Sequence, residues 1–338
     1  MARKINWGIL STANIVSRRF MPAISKSDRA CAYAVASRDA ERAKVFAAEF
    51  DTPRHFGSYQ ELIDDPEVEV VYVALPNEWH AEWSIKAARA GKHVLCEKPM
   101  ALDARQALEV ADECRKNGVL LMEAFMYRLN PRTRMIKEVI DSGTLGEVRA
   151  ITSEFGFMLE PRHASRLIPG KGGGSLMDIG CYCVNFCRCI FGAEPISVLA
   201  SAHNHPDVGC DMTFSGVLEF TGGRVGMISS SFETAFHSTA RVAGTQSILR
   251  IEKPFNPSEQ GDIGFDVQMP DGKTQSFEVE AVEQFLVEID SFSDSVREGK
   301  PVALDPYEDA IPNIRVIDAL RASAESGRRV EVERHQEA

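Results

Sequence analysis

Residues 71–99 read VYVALPNEWHAEWSIKAARAGKHVLCEKP, and this stretch decides the fold of the first half of the chain. Two short apolar runs, at 68–75 and 93–96, flank a segment of helical period at 77–90. Gly91 directly follows that segment, as glycine often does after the last turn of a helix. A strand, a helix and a second strand in this order predict a βαβ unit with parallel strands.

The same alternation extends in both directions, from residue 5 to about residue 125. Further strands are predicted at 5–11, 32–37 and 119–124, and further helices at 39–50 and 103–116. Repeated βαβ units predict an α/β fold, an N-terminal Rossmann domain with a doubly wound parallel sheet. We assign residues 1–125 to this dinucleotide-binding domain.

After a predicted helix at 130–141 the pattern changes to strands of mixed polarity. The segments 214–220 and 224–232 are joined through Thr221, Gly222 and Gly223, which predicts an antiparallel hairpin. Other strands are predicted near 148–157, 196–203, 236–243, 247–252, 263–269 and 273–279, with helices near 173–191, 281–298 and 306–326. Residues 126–338 are therefore predicted to form an α+β domain with a large, mostly antiparallel open sheet. Because one face of such a sheet needs a cover, we expect a substrate-binding and dimerisation domain, in a homodimer or dimer of dimers.

Composition narrows the class of protein. The chain is 44% hydrophobic and 26% charged, and none of its apolar runs approaches the roughly 18 residues of a membrane span. It begins MARKINWGIL, which enters a strand pattern and does not resemble a secretory signal, so we expect a cytoplasmic protein. The net charge of -11 disfavours nucleic acid and anionic membranes as partners, because both need a positive surface.

The cysteines and histidines do not predict a metal site. Eight cysteines in a chain without an export signal favour reduced thiols. The cluster Cys181, Cys183, Cys187 and Cys189 contains no CxxC pair, and the segment around His203 and His205 reads as ordinary polar positions.

The first strand is followed by the sequence STANIV, where a dinucleotide-binding turn usually carries G-x-G-x-x-G. Ser11, Ala13 and Val16 occupy the glycine positions. Small residues at 11 and 13 still permit a tight turn, and its N–H groups and hydroxyls suit a phosphate at a helix N-terminus. An ordinary capped helix start is the alternative.

The second strand ends with Ser37 and Arg38, where a cofactor with a free 2′-hydroxyl would usually meet an acid. Asp39 is better placed to begin the next helix. An arginine beside a hydroxyl suits a 2′-phosphate, and Arg42 follows one turn later. The pattern therefore favours NADP, with NAD and a solvated surface arginine as the alternatives.

Lys98 lies between Glu97 and Pro99, at the carboxyl end of a predicted parallel strand. In an open α/β sheet, ligands bind at that edge. Lys98 is therefore a candidate site residue.

Residues 71–99, together with GGGSLMDIGCY at 172–182, resemble the Gfo/Idh/MocA oxidoreductases. EAFMYRLNPR at 123–132 is most similar to the branch that contains NADP-dependent D-xylose 1-dehydrogenase and dimeric dihydrodiol dehydrogenase. The resemblance implies a nicotinamide cofactor and a sugar or cyclic polyol substrate. The resulting candidate cofactor-binding residues are Ser11, Thr12, Ala13, Asn14, Ile15, Ser37, Arg38, Arg42, Leu75, Pro76, Asn77, His80, Glu97 and Lys98.

The resemblance also implies a catalytic set. In the family, the lysine of E-K-P points toward the nicotinamide and the reacting carbon, and the bond before its proline is commonly cis. Family members often carry D-x-x-x-H after the glycines, whereas this chain has Asp178 and Tyr182. We expect Tyr182 to be the acid/base, because Lys98 and the positive nicotinamide would lower a tyrosine pKa of about 10. The exchanged assignment, with Lys98 as the base, stays open, and Asp178 would hold a sugar hydroxyl or orient Lys98.

Further donors are candidates for substrate binding. Tyr127, Arg128 and Arg166 can offer hydrogen bonds to hydroxyls, with surface roles as the alternative. Gly172, Gly173 and Gly174 are expected to let the backbone approach a ligand. The predicted activity is hydride transfer between NADP and an aldose at C1 or a vicinal diol. The alternatives are a ketosugar or dicarbonyl reductase, a non-catalytic NADP-sensing regulator and a redox-triggered glycosidase.

Overall fold

The computed structural model describes residues 3–160, 164–207, 209–258 and 260–333. The strands in chain order are β1 (Ile5–Leu10), β2 (Ala30–Ala36), β3 (Arg54–Phe56), β4 (Val70–Val73), β5 (His93–Cys96), β6 (Leu121–Glu123), β7 (Val148–Gly156), β8 (Ser197–Asn204), β9 (Asp211–Phe220), β10 (Arg224–Ser231), β11 (His237–Gly244), β12 (Ile248–Glu252), β13 (Asp262–Gln268), β14 (Thr274–Glu280) and β15 (Val330–Glu331). The α-helices are α1 (Met21–Ile24), α2 (Ala40–Glu49), α3 (Tyr59–Asp64), α4 (His80–Arg89), α5 (Ala104–Lys116), α6 (Pro131–Asp141), α7 (Cys181–Phe191), α8 (Gln284–Glu298) and α9 (Ala310–Ser326).

The chain forms two compact units. The first comprises residues 1–129 and 283–311, and the second comprises residues 130–282 and 312–338. Helix α8 thus belongs to the first unit, although it follows most of the second unit in sequence.

The first unit is built on a parallel sheet with strand order β3-β2-β1-β4-β5-β6. This order is that of a doubly wound dinucleotide-binding fold, and its direction reverses between β1 and β4. The predicted Rossmann sheet is confirmed. The short strand β3 and helix α3 are absent from the sequence prediction, because a three-residue strand carries no periodic signal of its own.

The core of the first unit surrounds the centre of this sheet. All four residues of β4 are buried, as expected for a strand with helices on both faces. Phe20 stacks on Tyr72 with ring centroids 3.9 Å apart, and the Trp7 indole N–H donates to Ser293 Oγ at 3.1 Å. Helix starts are capped as the sequence suggests, since Asp39 Oδ1 accepts from the backbone N–H groups of residues 41 and 42.

The second unit is built on a sheet with strand order β14-β13-β12-β11-β7-β10-β9-β8-β15. Among the described strands of this sheet, only the β7–β10 pair is parallel. The hairpin between β9 and β10 begins with Phe220 opposite Arg224, as predicted, and Gly222 and Gly223 supply the positive φ values of its turn. The large, mostly antiparallel sheet is confirmed.

One face of this sheet is buried under helix α7. Along β9 burial alternates, with the even-numbered residues 212–220 buried and the odd-numbered residues 211–219 at least partly exposed. Gly226 of β10 lies directly below α7, since a Cβ there would be 3.1 Å from Cys187 Sγ. Burial raises the pKa of Cys183 to about 12 and that of Cys187 well above its ordinary value, so both thiols are protonated core groups.

Within the described residues, helices long and apolar enough to cross a membrane are absent. The same part of the chain contains no group of three or more histidine, cysteine, aspartate or glutamate side chains arranged to hold a metal ion.

Candidate functional site

The turn after β1 is closed by a serine. Ser11 has a φ of 139°, a positive value that favours glycine, and its N–H donates to Ala36 O at 3.2 Å. Its hydroxyl accepts from the Ala13 N–H at 3.0 Å. The turn therefore forms without the glycines of the usual fingerprint and leads into a π-helical segment, Val16–Phe20.

A positively charged cluster lies at the carboxyl end of β2. The Arg42 guanidinium donates to Thr12 O at 3.2 Å, and the Arg38 guanidinium interacts electrostatically with Tyr59. In the part of the chain that the structure describes, no carboxylate oxygen lies within 4.0 Å of either guanidinium. Burial raises the pKa of Tyr59, although Arg38 and Arg42 oppose the shift, so the phenol is neutral at pH 7.

A cleft of about 250 Å³ opens beside this cluster. It lies within the first unit and is lined by Arg38, Gly57, Ser58, Tyr59, Leu75, Pro76, Trp79 and Trp83. The rings of Tyr59 and Trp83 meet edge to face, with centroids 5.1 Å apart at 81°. Arg38, Leu75 and Pro76 were candidates from the sequence, whereas the three aromatic residues were not. The run EWHAEW at 78–83 offered a signal, because its two tryptophans lie in the first half of the helix predicted after the strand that ends at residue 75.

His80 links the ends of two neighbouring strands. It is buried, and its ring nitrogens lie 2.8 Å from Pro99 O and 2.7 Å from Leu75 O. Burial lowers the pKa of His80, and these two carbonyl groups act against that effect. A neutral imidazole carries one N–H, so it donates to one of the two carbonyl oxygens at a time.

The backbone around Lys98 is held by Glu97. The Glu97 carboxylate accepts from the buried Tyr72 hydroxyl at 2.6 Å and from the Lys98 N–H at 3.2 Å. The peptide bond between Lys98 and Pro99 is cis. The Lys98 side chain is half-buried at the carboxyl edge of the parallel sheet, which is where the sequence predicts it.

In the second unit, the segment that carries Asp178 begins against Asp211. Asp211 Oδ2 accepts from Ser175 Oγ and from the Leu176 N–H, both at 2.7 Å. A Cβ at Gly174 would lie 2.0 Å from Asp211 Oδ1, and Gly174 has a φ of 112°. A Cβ at Gly173 would lie 2.6 Å from Ile168 N. These two glycines therefore permit close contact with the protein's own chain, which differs from the expected approach to a ligand.

Asp178 and Tyr182 follow on a π-helical segment, Leu176–Gly180, and on helix α7. Tyr182 is only 5% exposed, and its ring packs on Phe255 at 5.2 Å and on Phe155 at 6.0 Å. The Asp178 carboxylate lies 3.3 Å from the Arg166 guanidinium. The structure thus brings together two of the predicted substrate-binding residues, Asp178 and Arg166.

Tyr127 and Arg128 belong to the first unit. Tyr127 is 1% exposed, and Arg128 forms an ion pair with Asp309 at 2.5 Å. The roles proposed for Tyr127 and Arg128 in substrate binding stay predictions.

Comparison with known proteins gives two family matches that together cover most of the chain. Residues 5–125 match the model of the oxidoreductase family with an NAD-binding Rossmann fold, and residues 133–250 match the GFO/IDH/MocA C-terminal domain. The chain belongs to the Gfo/Idh/MocA oxidoreductase family. The resemblance drawn from the E-K-P and G-G-G segments is confirmed, as is an oxidoreductase function with an NAD(P)-binding domain.

Two similar proteins are named dehydrogenases. A D-xylose 1-dehydrogenase (NADP(+)) of Haloferax volcanii is 38% identical, over 97% of this chain and 99% of the relative. A trans-1,2-dihydrobenzene-1,2-diol dehydrogenase of Mus musculus is 38% identical, over 75% of this chain and 77% of the relative.

A solved 3-ketoreductase from Actinomadura kijaniata, in complex with NADP and TDP-benzene, has a TM-score of 0.90 at 30% identity. That similarity covers 95% of this chain and 98% of the ketoreductase.

Proposed function

We propose that this protein is an NADP-dependent dehydrogenase of a sugar or cyclic polyol, acting at C1 of an aldose or on a vicinal diol. The observation that carries the proposal is the cluster of Arg38, Arg42 and Tyr59 beside the cleft. The identities to a xylose dehydrogenase and a dihydrodiol dehydrogenase support the substrate class.

The residues present fit NADP. Within the described residues, neither the Arg38 nor the Arg42 guanidinium has a carboxylate oxygen within 4.0 Å, which suits a 2′-phosphate. The turn closed by Ser11 follows the carboxyl end of β1, where a pyrophosphate would bind. In this proposal Ser11 to Ile15 hold the pyrophosphate and Ser37, Arg38 and Arg42 hold the adenosine end. The nicotinamide end would meet Leu75, Pro76, Asn77, His80, Glu97 and Lys98. When bound, NADP supplies the acceptor for the hydride of the substrate carbinol.

The protein's own part in the reaction is to move a proton and to hold hydroxyl groups. Oxidation of a carbinol requires a base for the hydroxyl proton, and Tyr182 is the proposed acid/base, with Lys98 as the cation that stabilises the developing alkoxide. The exchanged assignment is the alternative. Asp178 and its neighbour Arg166 would bind a second hydroxyl.

A ketosugar reductase is the second candidate, because it runs the same chemistry in the opposite direction. The observation that favours it is the similarity to the 3-ketoreductase solved with NADP.

The first test is to follow NADP and NAD reduction at the nicotinamide absorbance with a panel of aldoses, inositols, anhydrosugars and dihydrodiols. NADPH oxidation with ketosugars and dicarbonyls tests the reverse direction. We expect turnover with NADP and at least one carbohydrate or diol. Tight NADPH binding without turnover in either direction would favour a regulator, and release of the leaving group from a glycoside would favour a glycosidase.

A further inference from the structure

Tyr59 is positioned by its helix and by a contact of its ring. It is the first residue of helix α3, and Ser58 before it caps that helix by accepting the Gln60 N–H at 3.2 Å. Its ring rests edge to face against Trp83. The ring is therefore held in the wall of the cleft, which Arg38 also lines.

Arg38 cannot take the hydroxyl proton of Tyr59, because a guanidinium can only donate, so this proton stays available to a different acceptor. The phenol stays neutral at pH 7 because burial raises its pKa. The charged groups that face it from neighbouring elements are Arg38 and Arg42, and neither can accept a hydrogen bond. Arg38 and Tyr59 thus offer donors to the same cleft, which suits an anion with several acceptor oxygens.

The cleft beside these donors suits a flat aromatic ring. Its other walls include the side chains of Trp79, Trp83, Leu75 and Pro76. Trp79 is 36% exposed, so part of its indole is open to solvent. Large aromatic surfaces of this kind stack on purine bases.

We propose that Tyr59 is a specificity-determining residue, which donates its hydroxyl proton to the 2′-phosphate of an adenosine seated between Trp79, Trp83 and Pro76. This inference rests on the proposed use of NADP. Tyr59 would then add to the preference for NADP over NAD that the arginines provide, because the 2′-hydroxyl of NAD carries no charge.

The test uses two small probes, adenosine 2′,5′-bisphosphate and 5′-AMP, which differ by the 2′-phosphate. Binding to the full chain is followed by quenching of tryptophan fluorescence, because two of the three tryptophans line the cleft, and by calorimetry. Tyr59→Phe keeps the ring and removes the hydroxyl. Tyr307→Phe is the matched control, because it removes a hydroxyl that is bonded to Asp112 and does not line the cleft.

We expect Tyr59→Phe to weaken bisphosphate binding by about 10- to 100-fold, the loss typical of a hydrogen bond to a charged group, and to leave 5′-AMP binding unchanged. Tyr307→Phe should bind both probes like the wild type. Equal loss of both probes in Tyr59→Phe, or no loss of either, would overturn the role of Tyr59 while leaving NADP use intact. A wild-type protein that does not prefer the bisphosphate would instead overturn the proposed NADP preference, and this inference with it.

Discussion

Replacement of Asp211 by alanine should loosen the start of the helical segment that carries Asp178 and Tyr182. The change removes an acceptor that holds Ser175 Oγ and the Leu176 N–H at 2.7 Å each. A hydrogen bond to a charged group is worth about 1.5–3 kcal/mol, and loss of a helix cap costs about 0.5–2 kcal/mol. Burial raises the pKa of Asp211, so the wild-type carboxylate itself carries a desolvation cost that reduces the net effect. We therefore expect Asp211→Ala to lower the free energy of unfolding by about 2–4 kcal/mol.

The matched control is Asp211→Asn, whose amide oxygen can take the place of Oδ2 and accept both hydrogen bonds. It should lose less than half as much stability as Asp211→Ala. Urea unfolding at pH 7 measures the free energy, and hydrogen exchange over 175–180 measures the local opening. Wild-type unfolding and exchange in Asp211→Ala would refute the stabilising role of this contact. An asparagine variant as unstable as the alanine variant would show that the negative charge, and not the acceptor geometry, matters.

Three further changes have distinct outcomes. Lys98→Met should abolish turnover in the assay that establishes the activity, because it removes the cation. Binding of adenosine 2′,5′-bisphosphate should stay within about twofold of the wild type. Retained turnover would contradict the role of Lys98. Gly174→Ala should destabilise the protein by at least about 1–3 kcal/mol, because φ is positive and the new Cβ would meet Asp211, and a wild-type urea midpoint would contradict this. Burial raises the pKa of Glu288 well above its ordinary value. The contribution of the Glu288 side chain to the free energy of unfolding is therefore full below the unfolded pKa of about 4.3, and it is lost as the pH rises through the folded pKa. Glu288→Gln should therefore flatten the fall of unfolding free energy with pH above about 5, and an unchanged slope would contradict the assignment.

The sequence predicts the elements whose signal is local. The strands from β4 to β5 and the hairpin of β9 and β10 have apolar periodicity, glycine stops and turn residues within a few positions. Strand β3 lacks such a signal because it exists through pairing with β2, at Ala34, Val35 and Ala36. Because β3 was not predicted, helix α3 directly after it was not predicted either, and Tyr59 at the start of α3 was not considered as a site residue.

Site geometry was harder to predict because the partners are distant in sequence. A glycine run indicates freedom of φ, but it does not say that Asp211 is the group which Gly174 must avoid. In the same way, the sequence marks Arg128 as a donor without indicating that Asp309 pairs with it. Lys98 was predictable, because its place depends only on where an apolar strand ends.

The serine-closed turn after β1 bears on how dinucleotide-binding domains are searched for in genomes. A fingerprint of three glycines counts residue types, whereas the turn itself requires a backbone with positive φ and a closing hydrogen bond. Ser11 meets both requirements, since its hydroxyl bond to the Ala13 N–H offsets part of the roughly 1–3 kcal/mol that a positive φ costs a residue other than glycine. A search that also admits a serine followed two positions later by a small residue would recover chains like this one, which a glycine-only pattern rejects.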